Sequence, residues 1–143
     1  MLILEGTALN AMRAHAREAY PYECCGLMVG FDDERRVVHR ALRLRNVNTE
    51  SPQVRYDLDP LEVSRAEKSL APRETILGIY HSHPDHPARP SQFDTDRAVE
   101  TARLWPGVSY IVIAVKQGEV EAVRSWQLDE SRQVFEAEPL EIA

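Results

Sequence analysis

The chain has 143 residues and a formal net charge of −6, with 43% apolar and 28% charged residues. That is the size and balance of one globular domain: too apolar for disorder, and too short for an eightfold βα barrel, which takes about 250 residues. The acidic balance argues against nucleic acid as a partner, and the longest apolar run, Val108–Val115 broken by Ser109, cannot span a bilayer, so no membrane partner is expected.

Leu2–Leu4 reads as a short strand. From Ala8 the apolar positions Ala8, Met12, Ala16 and Ala19 recur at helical spacing, predicting a first helix that ends at Pro21. Cys24–Phe31 is a compact apolar segment, expected as a buried strand. Its adjacent Cys24 and Cys25, the only two cysteines, cannot form an ordinary disulfide with each other. They fit a reducing compartment, and no basic segment precedes an apolar leader, so the expected location is cytoplasmic. Metal ligation or a redox role is open to the pair, but free cysteine is among the most buried residue types, and packing is the reading taken.

Asp32-Asp33-Glu34 is a turn, and Val37 to Arg45 alternates as a half-buried strand with Arg43 and Arg45 in solvent. The arginines between 35 and 45 read as a solvated face that would also suit an acidic partner protein. Asn46–Pro52 is loop and Val54–Leu58 a strand. Asp59 and Pro60 then supply the N-cap and first position of a second helix reaching to about Leu70. Thr75–His83 is a strand, followed by a loop containing Pro84, Pro87 and Pro90. Ser91 opens a third helix through Leu104. Val108–Val115 and Val120–Leu128 are strands paired across Gln117-Gly118, and Val134–Ile142 is an edge strand. Trp105 and Trp126 read as core or rim aromatics. Together these predict a single α+β (α/β/α-like) domain over residues 1–143, with a mixed sheet and about three helices.

Chemistry concentrates where the Thr75–His83 strand ends. His81 and His83 stand at i and i+2, so they face the same side of a strand at about 6.5–7 Å between Cα atoms and can meet one cation. The proline loop and the first turn of the next helix are long enough to return Asp94 to the strand end. Two imidazoles and a carboxylate with one position open describe a catalytic zinc site, one Zn²⁺ per chain, rather than a closed structural one. Ser91-x-x-Asp94 is equally a capping box, and the two roles of Asp94 are compatible.

His81-Ser82-His83-Pro84, six residues, then Ser91-Gln92-Phe93-Asp94 resembles the signature of the JAMM (MPN-plus) metalloproteases. The likeness extends to Glu23 in Pro21-Tyr22-Glu23-Cys24-Cys25-Gly26-Leu27, where that family carries its upstream glutamate. It also takes in the Asn46–Pro52 loop, Tyr56-Asp57-Leu58-Asp59-Pro60 and Gly78-Ile79-Tyr80 of the small bacterial branch. The resemblance implies an MPN/JAMM fold with a curved mixed sheet. It implies a zinc-dependent hydrolase of peptide or isopeptide bonds, acting after the C-terminal Gly-Gly of a ubiquitin-like or sulfur-carrier protein. His81, His83 and Asp94 would hold the metal, Glu23 would be general base and acid, and Ser91 would steady the oxyanion or only cap its helix.

Two rival readings stand beside this one. A non-catalytic MPN scaffold would bind partner proteins, although relatives of that kind lack the ligands. His81-x-His83-x-Asp85-His86 also resembles the metal-binding run of metallo-β-lactamase-fold hydrolases, but no histidine follows His86 to complete such a site. The carrier, the residue released and the oligomeric state, a homodimer included, are not written in the sequence.

Overall fold

The computed structural model describes residues 1–143. Leu2–Leu4 forms β1, and Gly6–Ala19 forms α1, whose buried Ala8, Leu9, Met12 and Ala16 make the expected apolar stripe. Cys25–Phe31 is β2, Val37–Leu44 is β3, and Pro60–Lys68 is α2. Glu74–Pro84 is β4 and Gln92–Thr101 is α3. Ser109–Lys116 (β5), Glu119–Asp129 (β6), Val134–Glu138 (β7) and Leu140–Ile142 (β8) complete the chain. As predicted, Asp59 caps α2 by accepting from the Leu61 N–H. Both later helices are shorter than expected, stopping at Lys68 and Thr101. No helix is long and apolar enough to cross a membrane.

All eight strands join one mixed sheet in the order β7-β6-β5-β4-β2-β3-β1-β8. β4 and β5 run parallel, with α3 in the crossover, whereas β2 is antiparallel to both β3 and β4. Gly78 lets β4 come close to β5: a Cβ there would lie 2.0 Å from the Ser109 carbonyl oxygen. Irregular registers in β2–β3, β2–β4 and β5–β6 give the sheet its curvature.

The expected single edge strand from Val134 to Ile142 is corrected. Its first half pairs with β6, its second half pairs with β1 at the other end of the sheet, and only Pro139 separates them. The sheet therefore curls until its flanks meet. At the seam Leu2 N–H donates to the Pro139 carbonyl at 3.0 Å. Buried Glu138 accepts from the Ser109 and Ser125 hydroxyls, each at 2.7 Å, with Arg36 facing its other oxygen.

α1 packs into the curve, burying Met12 with Leu2, Leu4, Met28, Tyr80, Ile111 and Ile113. α2 and α3 cover the opposite face with Leu27, Tyr56, Ile79, Ala98 and Tyr110. Truncating a fully buried residue such as Ile113 to Ala is expected to cost about 2–5 kcal/mol. The Val54–Leu58 strand is absent, and only Leu58 bridges to Asn46. The Asn46 side chain takes over the backbone groups a ladder would have used. Its Oδ1 accepts from the N–H groups of Asn48 and Asp57 at 3.0 and 3.1 Å, and its Nδ2 donates to the carbonyls of Arg55 and Glu23 at 2.9 and 3.1 Å.

Arg43 and Arg45 lie in solvent as expected, with Arg36 and Arg40 half-buried, but most of the row is paired internally. Arg40 grips Glu74 through two nitrogens, Arg43 pairs with Glu18, and Arg45 pairs with Asp59. On the α1 side of the sheet, the Tyr80 hydroxyl donates to His15 Nδ1 at 2.8 Å. Burial, with the Arg43 charge second, lowers His15 from 6.5 to about 4. As pH falls from 6.5 toward 4 the unfolded chain takes up a proton that the folded chain refuses, so stability declines across that window. The loss is on the order of 2 kcal/mol once partial exposure is discounted. Urea midpoints measured against pH are expected to flatten between 4 and 6.5 in His15→Gln, and an unchanged profile would contradict the assignment.

Candidate metal centre

β4 runs alongside β2 with Cys25 opposite His81, and continuing that register sets Glu23 opposite His83. Cross-strand partners share a face, so Glu23, Cys25, His81 and His83 all point toward the α2–α3 side. Between the histidines, Ser82 points the other way. Its hydroxyl accepts from the Cys24 N–H at 2.8 Å, and its own N–H donates to the Cys24 carbonyl at 3.1 Å, pinning the start of β2 to the end of β4.

Asp94 arrives from α3. The predicted capping box is formed: Ser91 Oγ accepts from the Asp94 N–H at 3.1 Å, and Asp94 Oδ2 accepts from the Ser91 N–H at 2.9 Å. The same Oδ2 lies 3.2 Å from His81 Nε2 and 3.0 Å from His83 Nε2, and the two imidazole nitrogens are 3.1 Å apart. Capping and convergence on the histidines therefore coexist in one carboxylate. Glu23 completes the group, since all four residues are buried and offer ligand atoms within 4.8 Å of one another.

Counting protons shows what the cluster lacks. His83 Nδ1 lies 2.9 Å from the Pro87 carbonyl, which can only accept, so Nδ1 carries a proton and the neutral ring turns a lone pair on Nε2 toward the cluster. Burial keeps His81 neutral by lowering its pKa against the opposing pull of Asp94, so it can place at most one proton among its neighbours. Burial alone would raise Asp94, but His81, His83 and the Ser91 N–H together hold it well below the usual carboxylate range. With both rings neutral, lone pairs converge on one point, and Asp94 Oδ1 and Glu23 Oε1 are buried without partners. A bound cation supplies the missing charge. Zinc–ligand bonds of about 2.0–2.1 Å at tetrahedral angles put donor atoms roughly 3.3–3.4 Å apart, close to the separations here. The residues fit a metal.

Burial and the neighbouring Asp94 charge push the Glu23 carboxyl up to about 9 in the metal-free cluster. Glu23 is only 3% exposed, yet it lines an open cleft of about 370 Å³ together with His83 and Ser91, so solvent reaches the cluster from that side. Val54, His86 and Arg89 extend the cleft wall. Cys24 and Cys25 stay outside the cluster as free buried thiols, and burial pushes Cys24 up to about 11. Asp85 is turned away. At φ 58° its carboxylate accepts from the Tyr20 hydroxyl at 2.7 Å and the Gln117 N–H at 2.9 Å. The metallo-β-lactamase-type run therefore does not assemble.

Three supporting contacts have no periodic signal in the sequence. Tyr56 stacks on His81, with ring centroids 4.5 Å apart and planes at 25°, and holds a ring whose Nδ1 lacks a hydrogen-bond partner. Asn46 grips the Glu23 carbonyl, and Glu23 N–H donates to the Pro52 carbonyl at 2.8 Å. The Pro87 carbonyl orients His83. Metal ligands depend on such outer contacts for tautomer and orientation.

Comparison with known proteins agrees with this geometry. Residues 7–129 match the family described as prokaryotic homologs of the JAB domain. A desampylase from Haloferax volcanii is 36% identical over 93% of this chain and 93% of its own length. A CysO-cysteine peptidase from Mycobacterium tuberculosis is 27% identical over 90% of this chain and 83% of its own. The crystal structure of a JAB1/MPN domain protein from Archaeoglobus fulgidus superposes with a TM-score of 0.64 at 20% identity, covering 100% of this chain and 99% of that one, which establishes a shared fold. The chain belongs to the prokaryotic branch of the JAB-domain family.

Proposed function

We propose that the protein is a zinc metallopeptidase of the JAMM type, which hydrolyses a peptide or isopeptide bond after the C-terminal Gly-Gly of a ubiquitin-like or sulfur-carrier protein. The observation that carries this reading is the buried convergence of His81, His83 and Asp94 with Glu23, which also lines an open cleft. The named activities of the Haloferax and Mycobacterium relatives support the substrate class.

In this reading His81, His83 and Asp94 are the metal ligands, one Zn²⁺ per chain. The bound ion would supply Lewis acidity, which makes water a nucleophile near neutral pH and polarises a carbonyl. Glu23 takes a proton from the attacking water and delivers it to the departing amine as the carbon–nitrogen bond breaks. Its place beside the histidines and at the cleft suits both transfers. The Ser91 oxygen already accepts from the Asp94 N–H, which leaves its own O–H free to donate to the oxyanion. The overall change is water plus amide giving carboxylic acid plus amine.

All four clustered residues come from one chain. The pairing of Leu2–Leu4 with Leu140–Ile142 favours a single domain over residues 1–143, and the two free buried thiols favour a reducing, cytoplasmic setting.

Purified parent protein is expected to hold about one zinc per chain by elemental analysis. At a thousandfold excess of metal over Kd the ion adds about 4 kcal/mol of stability, so chelation should lower Tm by on the order of 10 °C. Asp94→Asn keeps an acceptor for the Ser91 N–H and should fold, yet lose both the zinc and the response to chelator. Asp85→Asn should keep both, and the opposite pattern would overturn the ligand set.

Glu23→Gln should retain zinc but cleave a sulfur-carrier protein extended past Gly-Gly about 10²–10⁴-fold more slowly, read by intact mass. Undiminished cleavage would remove Glu23 from the mechanism.

A further inference from the structure

The cleft beside the metal cluster carries a charge that the hydrolytic mechanism does not use. Of the residues lining it with Glu23, His83 and Ser91, Arg89 is the one Lys or Arg. Arg89 is exposed and has no carboxylate within 4.0 Å, and among the unpaired arginines it is the one that lines this cleft.

The backbone that carries Arg89 is firmly held. Pro87 accepts from His83 Nδ1, the Ala88 carbonyl accepts from Trp126 Nε1 at 3.1 Å, and Ala88 itself is 5% exposed. Pro90 and the Ser91 cap follow at once. An unpaired cation on a fixed segment, one residue from a side chain buried against the sheet and two from Ser91, is placed to receive an anion of the substrate. The planar guanidinium matches a carboxylate in particular.

We propose that Arg89 binds the free C-terminal α-carboxylate of the residue released by the reaction. A carboxylate close to the cut bond has two sources: the terminus of a leaving residue, whose carboxyl carbon lies two bonds from the amide nitrogen, or an acidic side chain. The Gly-Gly side of the bond offers neither, which puts the anion on the leaving side. The preferred substrate is then a carrier extended by one residue through an ordinary peptide bond, and a conjugate joined through a lysine side chain is the poorer one. This inference rests on the hydrolytic reading above and assigns the leaving-group subsite of that same centre.

The test uses zinc-loaded Glu23→Gln protein, with and without Arg89→Gln, and three acetylated peptides. One ends in Gly-Gly-Ala with a free carboxylate, one in Gly-Gly-Ala-amide, and one in Gly-Gly-Asp-amide. Calorimetry is expected to give about tenfold or greater preference for the free carboxylate over Gly-Gly-Ala-amide, and Arg89→Gln should abolish that difference. Arg89→Lys should restore part of it, since charge remains while the planar fork is lost.

A preference that survives Arg89→Gln, or no carboxylate-dependent binding at all, overturns the proposal. Gly-Gly-Asp-amide binding as well as the free acid also overturns it, by making an acidic side chain the occupant. If the binding difference is present but protein with Glu23 intact cleaves none of the carrier substrates, the subsite stands and the hydrolytic reading fails.

Discussion

The centre depends on one carboxylate serving two masters. Asp94 Oδ2 completes the capping box of α3 and, from the same atom, meets both imidazoles. The helix start therefore cannot shift without moving the carboxylate that meets both histidines, and that carboxylate cannot rotate without uncapping the helix. Its cost is electrostatic: with both rings neutral, buried lone pairs converge on one point, an arrangement that is unfavourable until a cation arrives. Metal affinity and local fold stability thus draw on the same contacts.

The sheet supplies the other half of the centre. The antiparallel register of β2 on β4 brings Glu23 to the histidines, and Ser82, pointing away from the site, pins that register with two hydrogen bonds to Cys24. The adjacent thiols thereby find their role as packing: Cys24 joins the α1 side of the core and Cys25 the α2–α3 side. Glu23 is itself buried beside them, and that burial, with the Asp94 charge, raises its carboxyl pKa.

What could be read from the sequence follows the range of each interaction. His81 and His83 were legible because a strand has a period of two, and Ser91-x-x-Asp94 because a capping box has fixed local spacing. Glu23 was legible only through a family resemblance: its approach depends on pairing two strands, which no local pattern encodes. The Val54–Leu58 segment misled because its alternation is real, but Asn46 satisfies the backbone that a strand would have paired. The Val134–Ile142 stretch was correctly extended, yet one segment serving both flanks of a sheet is a matter of global curvature. Tyr56 over His81 left no trace, since a stacking contact between loop and strand has no spacing rule.

The closure of the sheet bears on how the protein is made. Leu2–Leu4 pairs with Leu140–Ile142 on one side and with β3 on the other, so β1 has both its neighbours only once β8 has been made. Until then α1 rests in an incomplete hoop, with Leu2 and Leu4 missing part of their cover. Contacts so far apart in the chain make for slow folding and a vulnerable nascent intermediate. The cluster of Glu23, His81, His83 and Asp94 draws on residues 23 to 94 alone, so none of its side chains belongs to the strand that closes the hoop.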